Sequence, residues 1–201
     1  MSTSGAARPQ EQPQDDNSEP LIAAEAARKS FDDLDSTSFR KAFRNHPSGV
    51  ALITADDGNG PVALTASSVF SVSLEPPLLV FSLSTISSSA PTIREADTVI
   101  VHLLDSEHLD LAKLGATSGI DRFADTEAWH RLETGEPLFH GVENWIRGRI
   151  INRLDAGGST VVVVHAIESG DSGLDSEEQK QPLVYHNRTW HELGDHSRIT
   201  E

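Results

Sequence analysis

The chain has 201 residues, a formal net charge of −15 and a pI near 4.9. Acidity of that size argues against a phosphate backbone as partner, so no nucleic-acid binding is expected. The absence of Cys excludes disulfides, thiolate catalysis, iron–sulfur ligation and Cys-type zinc sites, and it fits a reducing, cytoplasmic setting.

Residues 1–19 are rich in Pro, Gln, Ser and Asp, too polar to offset the entropy of ordering, and are expected to form a disordered tail. That segment lacks the apolar core of a signal peptide, and no apolar run approaches the ~20 residues of a membrane span. Residues 20–35 contain the helix-prone run Leu21 to Lys29, read as a helical extension. The main domain is placed at 36–195, with 196–201 as a C-terminal tail.

Within that domain, Ser36 or Thr37 is placed to cap a helix through Phe39, Ala42 and Phe43, ended by Pro47 and Gly49. Val50 to Thr54 reads as a buried strand. The turn Asp56 to Gly60 joins it in a hairpin to a stretch beginning at Val62. From Val62 to Leu74 the residues read as one strand, followed by a second from Leu78 to Leu83 across Glu75-Pro76-Pro77. Period-two alternation puts Thr65, Ser67, Ser71 and Ser73 on one face. A cluster of hydroxyls from Ser84 to Ser89 then precedes a helical Ala90 to Glu95. Strand, strand and hydroxyl-rich helix start together are suited to a phosphorylated ligand. Equally, a Ser cluster before a helix is a common N-cap.

Thr98 to Leu103 is a further strand, and Ser106 starts a helix through Leu114. Residues 120–134 read as mixed turn and helix. Val142 to Leu154 and Thr160 to Glu168 pair across Asp155 to Gly158, and a last hairpin folds around Asn187. The pattern suits an antiparallel barrel rather than βαβ units. The nine His residues are spread singly without His-Glu-x-x-His, so no metal site is expected. Gly-x-Gly-x-x-Gly, Walker A and Gly-x-Ser-x-Gly motifs are absent. In Asp121-Arg122-Phe123, Arg122 is able to clamp a phosphate and Phe123 to pack on a planar ring, or the three form a surface ion pair beside a core aromatic.

Six blocks in register resemble the flavin reductase-like family. They are Asn45 to Ala55, Thr65 to Leu83, Ser87 to Arg94, Asp121 to Ala124, Glu136 to Gly141 and Pro182 to Trp190. The resemblance implies a mostly β fold, an antiparallel split β-barrel with short flanking helices. It implies an NAD(P)H:flavin oxidoreductase that binds FMN, or FAD, with NADH or NADPH as co-substrate. It further implies a homodimer and a partner monooxygenase supplied with reduced flavin; the alternative is a flavin-binding module, or partner-dependent oxidase, without free turnover. By resemblance Thr65, Ala66, Ser67 and Ser68 contact the flavin ring and ribityl chain. Ser82, Ser88 and Ser89 lie towards the phosphate, Pro47 and Ser48 line the ring, Arg122 reaches the phosphate, and Leu83 and Phe123 are counted with the flavin-binding residues. Where many members carry Gly-Asp-His, this chain has Gly157-Gly158-Ser159, which puts Ser159, or Thr160 after a slip of one, on the nicotinamide side. No side chain is expected to act as acid or base.

Overall fold

A computed structural model describes residues 34–170 and 180–199. The expected tail and all but the last two residues of the helical extension lie outside them, as do residues 171–179. The chain divides into two compact units, Met1–Ala42 and Phe43–Glu201. Helix α1 (Ser36–Arg44) starts under Asp35, whose carboxylate accepts from the Thr37 and Ser38 amides and the Ser38 hydroxyl. The cap is therefore Asp35, one or two residues before the expected Ser36 or Thr37, because an ionised carboxylate suits unpaired helix amides better than a hydroxyl. The Ser38 hydroxyl is the leading cause that holds the Asp35 carboxyl below its ordinary range.

The second unit is built on a seven-stranded antiparallel sheet. Its strands are β2 (Ala51–Asp56), β3 (Pro61–Ala66), β4 (Phe70–Leu74), β5 (Pro77–Ser84), β6 (Thr98–Leu103), β9 (Trp145–Ala156) and β10 (Ser159–Ser169), in the order β3-β2-β6-β9-β10-β5-β4. A smaller sheet joins β1 (Ser48–Gly49), β11 (Leu183–His186) and β12 (Thr189–Glu192); β7 (Trp129–Arg131) pairs with β8 (Pro137–Phe139). The β11–β12 turn puts both Asn187 and Arg188 at positive φ, the backbone of a tight two-residue hairpin turn.

The edge strands β3 and β4 fix the shape. They are joined by Ser67, Ser68 and Val69 alone. Four Cα steps reach at most about 15 Å, whereas the edges of a flat seven-stranded sheet would stand about 29 Å apart. The sheet must roll until its edges adjoin. They meet without pairing, which makes a barrel split along one seam, the fold that the resemblance implied. The continuous strand expected from Val62 to Leu74 is thereby corrected to two strands. The shared face of Thr65 and Ser67 with Ser71 and Ser73 ends at the seam crossing.

Alternation fills the barrel. Ala51, Ile53 and Ala55 of β2, Leu79, Phe81 and Leu83 of β5, and Val162 and Val164 of β10 point inward with Ile93 of helix α2 (Ala90–Glu95). Opposite residues of β2, Leu52 among them, meet Leu104, Ala112, Phe123, Phe139 and Leu183 in a second core outside the barrel. Ala112 lies on helix α3 (Leu109–Ala116), which approaches β2 and β3 so closely that a Cβ on Gly115 would stand 2.3 Å from both Leu52 Cδ1 and Thr65 Oγ1. No helix forms across 120–134. This stretch instead turns into β7, and Phe123 and Trp129 pack edge to face at 4.9 Å.

His102, with no exposed surface, lies against the second core. Its Nδ1 lies 3.0 Å from the Leu52 carbonyl, and its Nε2 accepts from the Phe139 amide at 3.2 Å. One nitrogen must donate and the other accept, so this pair of bonds selects the neutral ring protonated on Nδ1. Burial pushes its pKa down from 6.5 to about 4.

Candidate functional site

The seam gathers most of the hydroxyls singled out in the sequence and separates them into two groups. In the first, the hydroxyl is committed to the fold. Ser89, 1% exposed, donates to the carbonyl of Ala63 on edge strand β3 at 2.7 Å. It starts helix α2 yet makes no side-chain cap. Thr65 donates to Ala112 O at 2.7 Å and so anchors α3. Ser68 takes the Ser82 amide at 2.9 Å, just past the last β4–β5 pair at Phe70 and Val80, where the ladder has run out. Thr160, fully buried, donates to Asp155 at 2.8 Å.

In the second group the hydroxyl is uncommitted. Ser67, Ser82 and Ser88 are exposed and Ser159 is half-buried, and none makes a side-chain hydrogen bond to another described residue. Register brings them to one region. Ser159 stands opposite Ser84 at the end of β5, and Leu83 stands opposite Thr160. Arg94 of α2 pairs with Asp155 at 3.1 Å, and Arg153 reaches the Ala96 carbonyl at 2.6 Å, so α2 is strapped to β9 beside the same hairpin.

Other predicted residues are placed differently. Ala66 and Leu83 are core residues, which leaves only their backbone for a ligand. Ser48 pairs with Tyr185 in the three-stranded sheet and Pro47 precedes it, exposed; neither side chain is hydrogen-bonded to the seam hydroxyls. Phe123 is buried against Trp129 and Phe139. Arg122 donates through Nη2 to Thr117 O at 2.6 Å, while its buried Nε has no partner among the described residues. Asp121 accepts from the Phe123 amide. Asp121 and Arg122 therefore form no ion pair with each other, since each serves its own loop.

Thr85 was not singled out by itself. Its amide and hydroxyl both donate to Gly158 O, at 3.1 and 2.9 Å. The sequence signal was its membership in the Ser84 to Ser89 run, which says nothing of a partner 73 residues away.

A separate cleft of about 560 Å³ lies between the Gly58–Gly60 turn and the β7–β8 hairpin. Its charges are already paired, Arg131 with Asp56 at 2.5 Å and Arg147 with Glu136 at 2.7 Å. Burial pushes the Glu136 carboxyl up, but bonds from Thr134, Thr98, its own backbone and Arg147 outweigh this and hold it below the ordinary value. At Asp56 burial is likewise outweighed by Arg131 and the Gly58 and Gly60 amides. This cleft is a satisfied ion-pair network, whereas the seam offers open donors.

What the seam can do chemically follows from its composition. Exposed neutral hydroxyls donate to and accept from a polyhydroxyl chain, and they hold a phosphate without a cation. The family model described as flavin reductase like domain matches residues 43–194. The NADH:FMN oxidoreductase of Rhodococcus qingshengii is 41% identical over 153 residues, which is 74% of this chain and 77% of that protein. A flavin reductase domain protein from Arthrobacter sp. FB24 superimposes with a TM-score of 0.73 at 31% identity, covering 80% of this chain and 96% of that one. BorF, the flavin reductase component of a bacterial two-component tryptophan halogenase, gives a TM-score of 0.69 at 28% identity, covering 80% and 99%.

Proposed function

Because the chain belongs to the flavin reductase-like family, we propose that it is an NAD(P)H:flavin oxidoreductase whose seam binds FMN, with FAD as the other candidate. The observation that carries this reading is the set of uncommitted hydroxyls, Ser67, Ser82, Ser88 and Ser159, held in place by neighbours whose own hydroxyls are committed. They fit a flavin: the three open hydroxyls of Ser67, Ser82 and Ser88 suit a ribityl chain and phosphate, Ser159 is left for the nicotinamide side, and none of the four brings a negative charge. When bound, the flavin supplies the hydride-accepting ring.

The protein's part is to bind and orient. Ser88, beside buried Ser89, is the side chain assigned to the phosphate, and Ser67 with the Ala66 backbone is assigned to the ring and ribityl side. Ser68 acts through Ser82, whose amide it fixes. On the nicotinamide side the role falls to Ser159, because the Thr160 hydroxyl is taken by Asp155. Hydride transfer between two rings needs no side-chain acid or base, so positioning within reacting distance is what these residues contribute.

We assign a homodimer to the outer face of the same strands. Phe70 pairs with Val80, and Val80 with Val163; Ser82 pairs with Val161, and Val161 with Leu154. These rows make an apolar band beside the seam in which Phe70 and Leu154 are each 62% exposed. A cytoplasmic location and a monooxygenase that receives the reduced flavin complete the reading. The relation to BorF, which serves a tryptophan halogenase, and to the reductase component of a trigonelline monooxygenase supports a partner enzyme of this two-component kind. Among the described residues no helix is long and apolar enough to cross a membrane. Residues 1–19 take no part in this reading, and their removal is expected to leave flavin affinity unchanged.

The absorbance spectrum of the purified protein, followed by steady-state NADH and NADPH oxidation with added FMN, tests the proposal. Protein that neither carries nor binds FMN or FAD refutes it. A second reading, a flavin-binding module without turnover, is favoured by Ser159 standing where the family pattern has His. FMN binding without NAD(P)H oxidation would select it, and Ser159→His is then expected to raise kcat/KM for the nucleotide with little change in FMN affinity.

A further inference from the structure

The β9–β10 hairpin turns at Gly157 and Gly158, immediately before Ser159. Gly157 has φ +61, and at neither glycine does any atom lie within 4 Å of where a Cβ would stand. The tip is thus unpacked and made of the two residues with the greatest backbone freedom. Ser159 stands at the last rung of both ladders, opposite Ala156 and Ser84, so its setting depends on how this tip is held.

One external residue grips it. The β5–β10 ladder ends at the Ser84–Ser159 pair, and the next residue, Thr85, directs both its amide and its hydroxyl to the Gly158 carbonyl, at 3.1 and 2.9 Å. Two donors use both lone pairs of that oxygen and fix its direction as well as its distance. From Thr85 the chain continues through Ile86, 94% exposed, and Ser87 to Ser88. One residue therefore connects the loop that bears Ser88 with the hairpin that bears Ser159.

We propose that Thr85 is a positioning residue of the flavin site, which acts through Gly158 to hold Ser159 where a dinucleotide's nicotinamide can be received. This rests on the flavin reductase reading above. The Asp155–Thr160 bond secures the barrel side of the hairpin independently of Thr85, so loss of the Thr85 hydroxyl loosens the tip while the barrel stays closed. The flavin, held by Ser67, Ser82 and Ser88, is little affected.

The test uses Thr85→Val, which keeps the shape and the amide bond but removes the hydroxyl donor, and Thr85→Ser, which restores it. Three quantities are read: amide hydrogen exchange of residues 157–160 without ligand, the Kd of NAD+ for the FMN-loaded protein, and the Kd of FMN. Thr85→Val is expected to speed exchange at the tip and weaken NAD+ by about tenfold, the worth of one hydrogen bond, while FMN affinity stays within about twofold and Thr85→Ser behaves like the parent. Unchanged NAD+ affinity in Thr85→Val, equal weakening of both ligands, or failure of Thr85→Ser to restore binding overturns the proposal. A parent protein that binds neither FMN nor FAD overturns the flavin reading itself, and is told apart because it is seen before any variant is made.

Discussion

Acidification from pH 7 to pH 5 is expected to remove about 2 kcal/mol of folding stability through one side chain, His102. In the unfolded chain this imidazole takes up a proton below its ordinary 6.5, while in the folded protein burial delays protonation to about 4. Between those values the unfolded state binds more protons, so stability falls as pH falls. From 6.5 down to 5, at about 1.4 kcal/mol per pH unit, the loss comes to about 2 kcal/mol. Protonation would also turn Nε2 from an acceptor into a donor facing the Phe139 amide. The carboxylates held below their ordinary values, Glu136 and Asp56, lose their stabilising share only as pH drops through and below 4.5 and 3.8, so a limit of pH 5 keeps them largely apart. The assay is urea unfolding at pH 7, 6 and 5 for the parent and for His102→Gln, which has a donor and an acceptor but does not titrate. The parent's stability should approach the variant's by about 2 kcal/mol on acidification. Parallel pH profiles would refute the assignment of a neutral, buried His102.

Four further outcomes follow from the seam and its surroundings. Ser88→Ala should weaken FMN by about tenfold and riboflavin much less, without lowering Tm; equal losses in titrations of the two ligands would place Ser88 away from the phosphate. Ser89→Ala should behave oppositely: it leaves the buried Ala63 carbonyl unpaired and costs about 1–3 kcal/mol in denaturant unfolding. Gly115→Ala drives a methyl into Leu52 and Thr65 and should cost about 1–3 kcal/mol, seen as a lower Tm. Leu154→Arg places a charge in the outer apolar band and should shift sedimentation from dimer to monomer, and an unchanged sedimentation coefficient would remove that band from the interface.

Most of the barrel was legible because its strands are short apolar, β-branched runs bounded by turn residues, as in Val50 to Thr54 and Thr160 to Val164; β2 is buried on both faces, while burial alternates only along β10. The break at Ser67 to Val69 was not, since hydroxyls continue the alternation across it and only the sheet order shows that the chain is crossing a seam. Residues 120–134 read as partly helical, but the edge-to-face contact of Phe123 with Trp129 joins residues six apart, a spacing that a helix would put on different faces and that only a turn brings together. The hydroxyl cluster itself was visible. What each hydroxyl does was not, because partners such as the Ala63 and Ala112 carbonyls are backbone groups 26 and 47 residues away, and a backbone carbonyl has no signature in sequence. For that reason Ser88 and Ser89, adjacent and identical in type, were indistinguishable before the fold placed one outside and the other inside.

The seam also bears on how the protein avoids sticking to itself. An unpaired strand edge is a template for another chain, and proteins commonly blunt it with charges, prolines or bulges. Here the rolled sheet turns its two edges, β3 and β4, towards each other. Side chains then occupy backbone groups that a foreign strand would seek: Ser89 takes the Ala63 carbonyl, and Ser68 takes the Ser82 amide beyond the end of β4. Each of these guards depends on a single hydroxyl, so removing either re-exposes a strand edge. Aggregation, more than unfolding, is then the fate to expect of a chain that loses both.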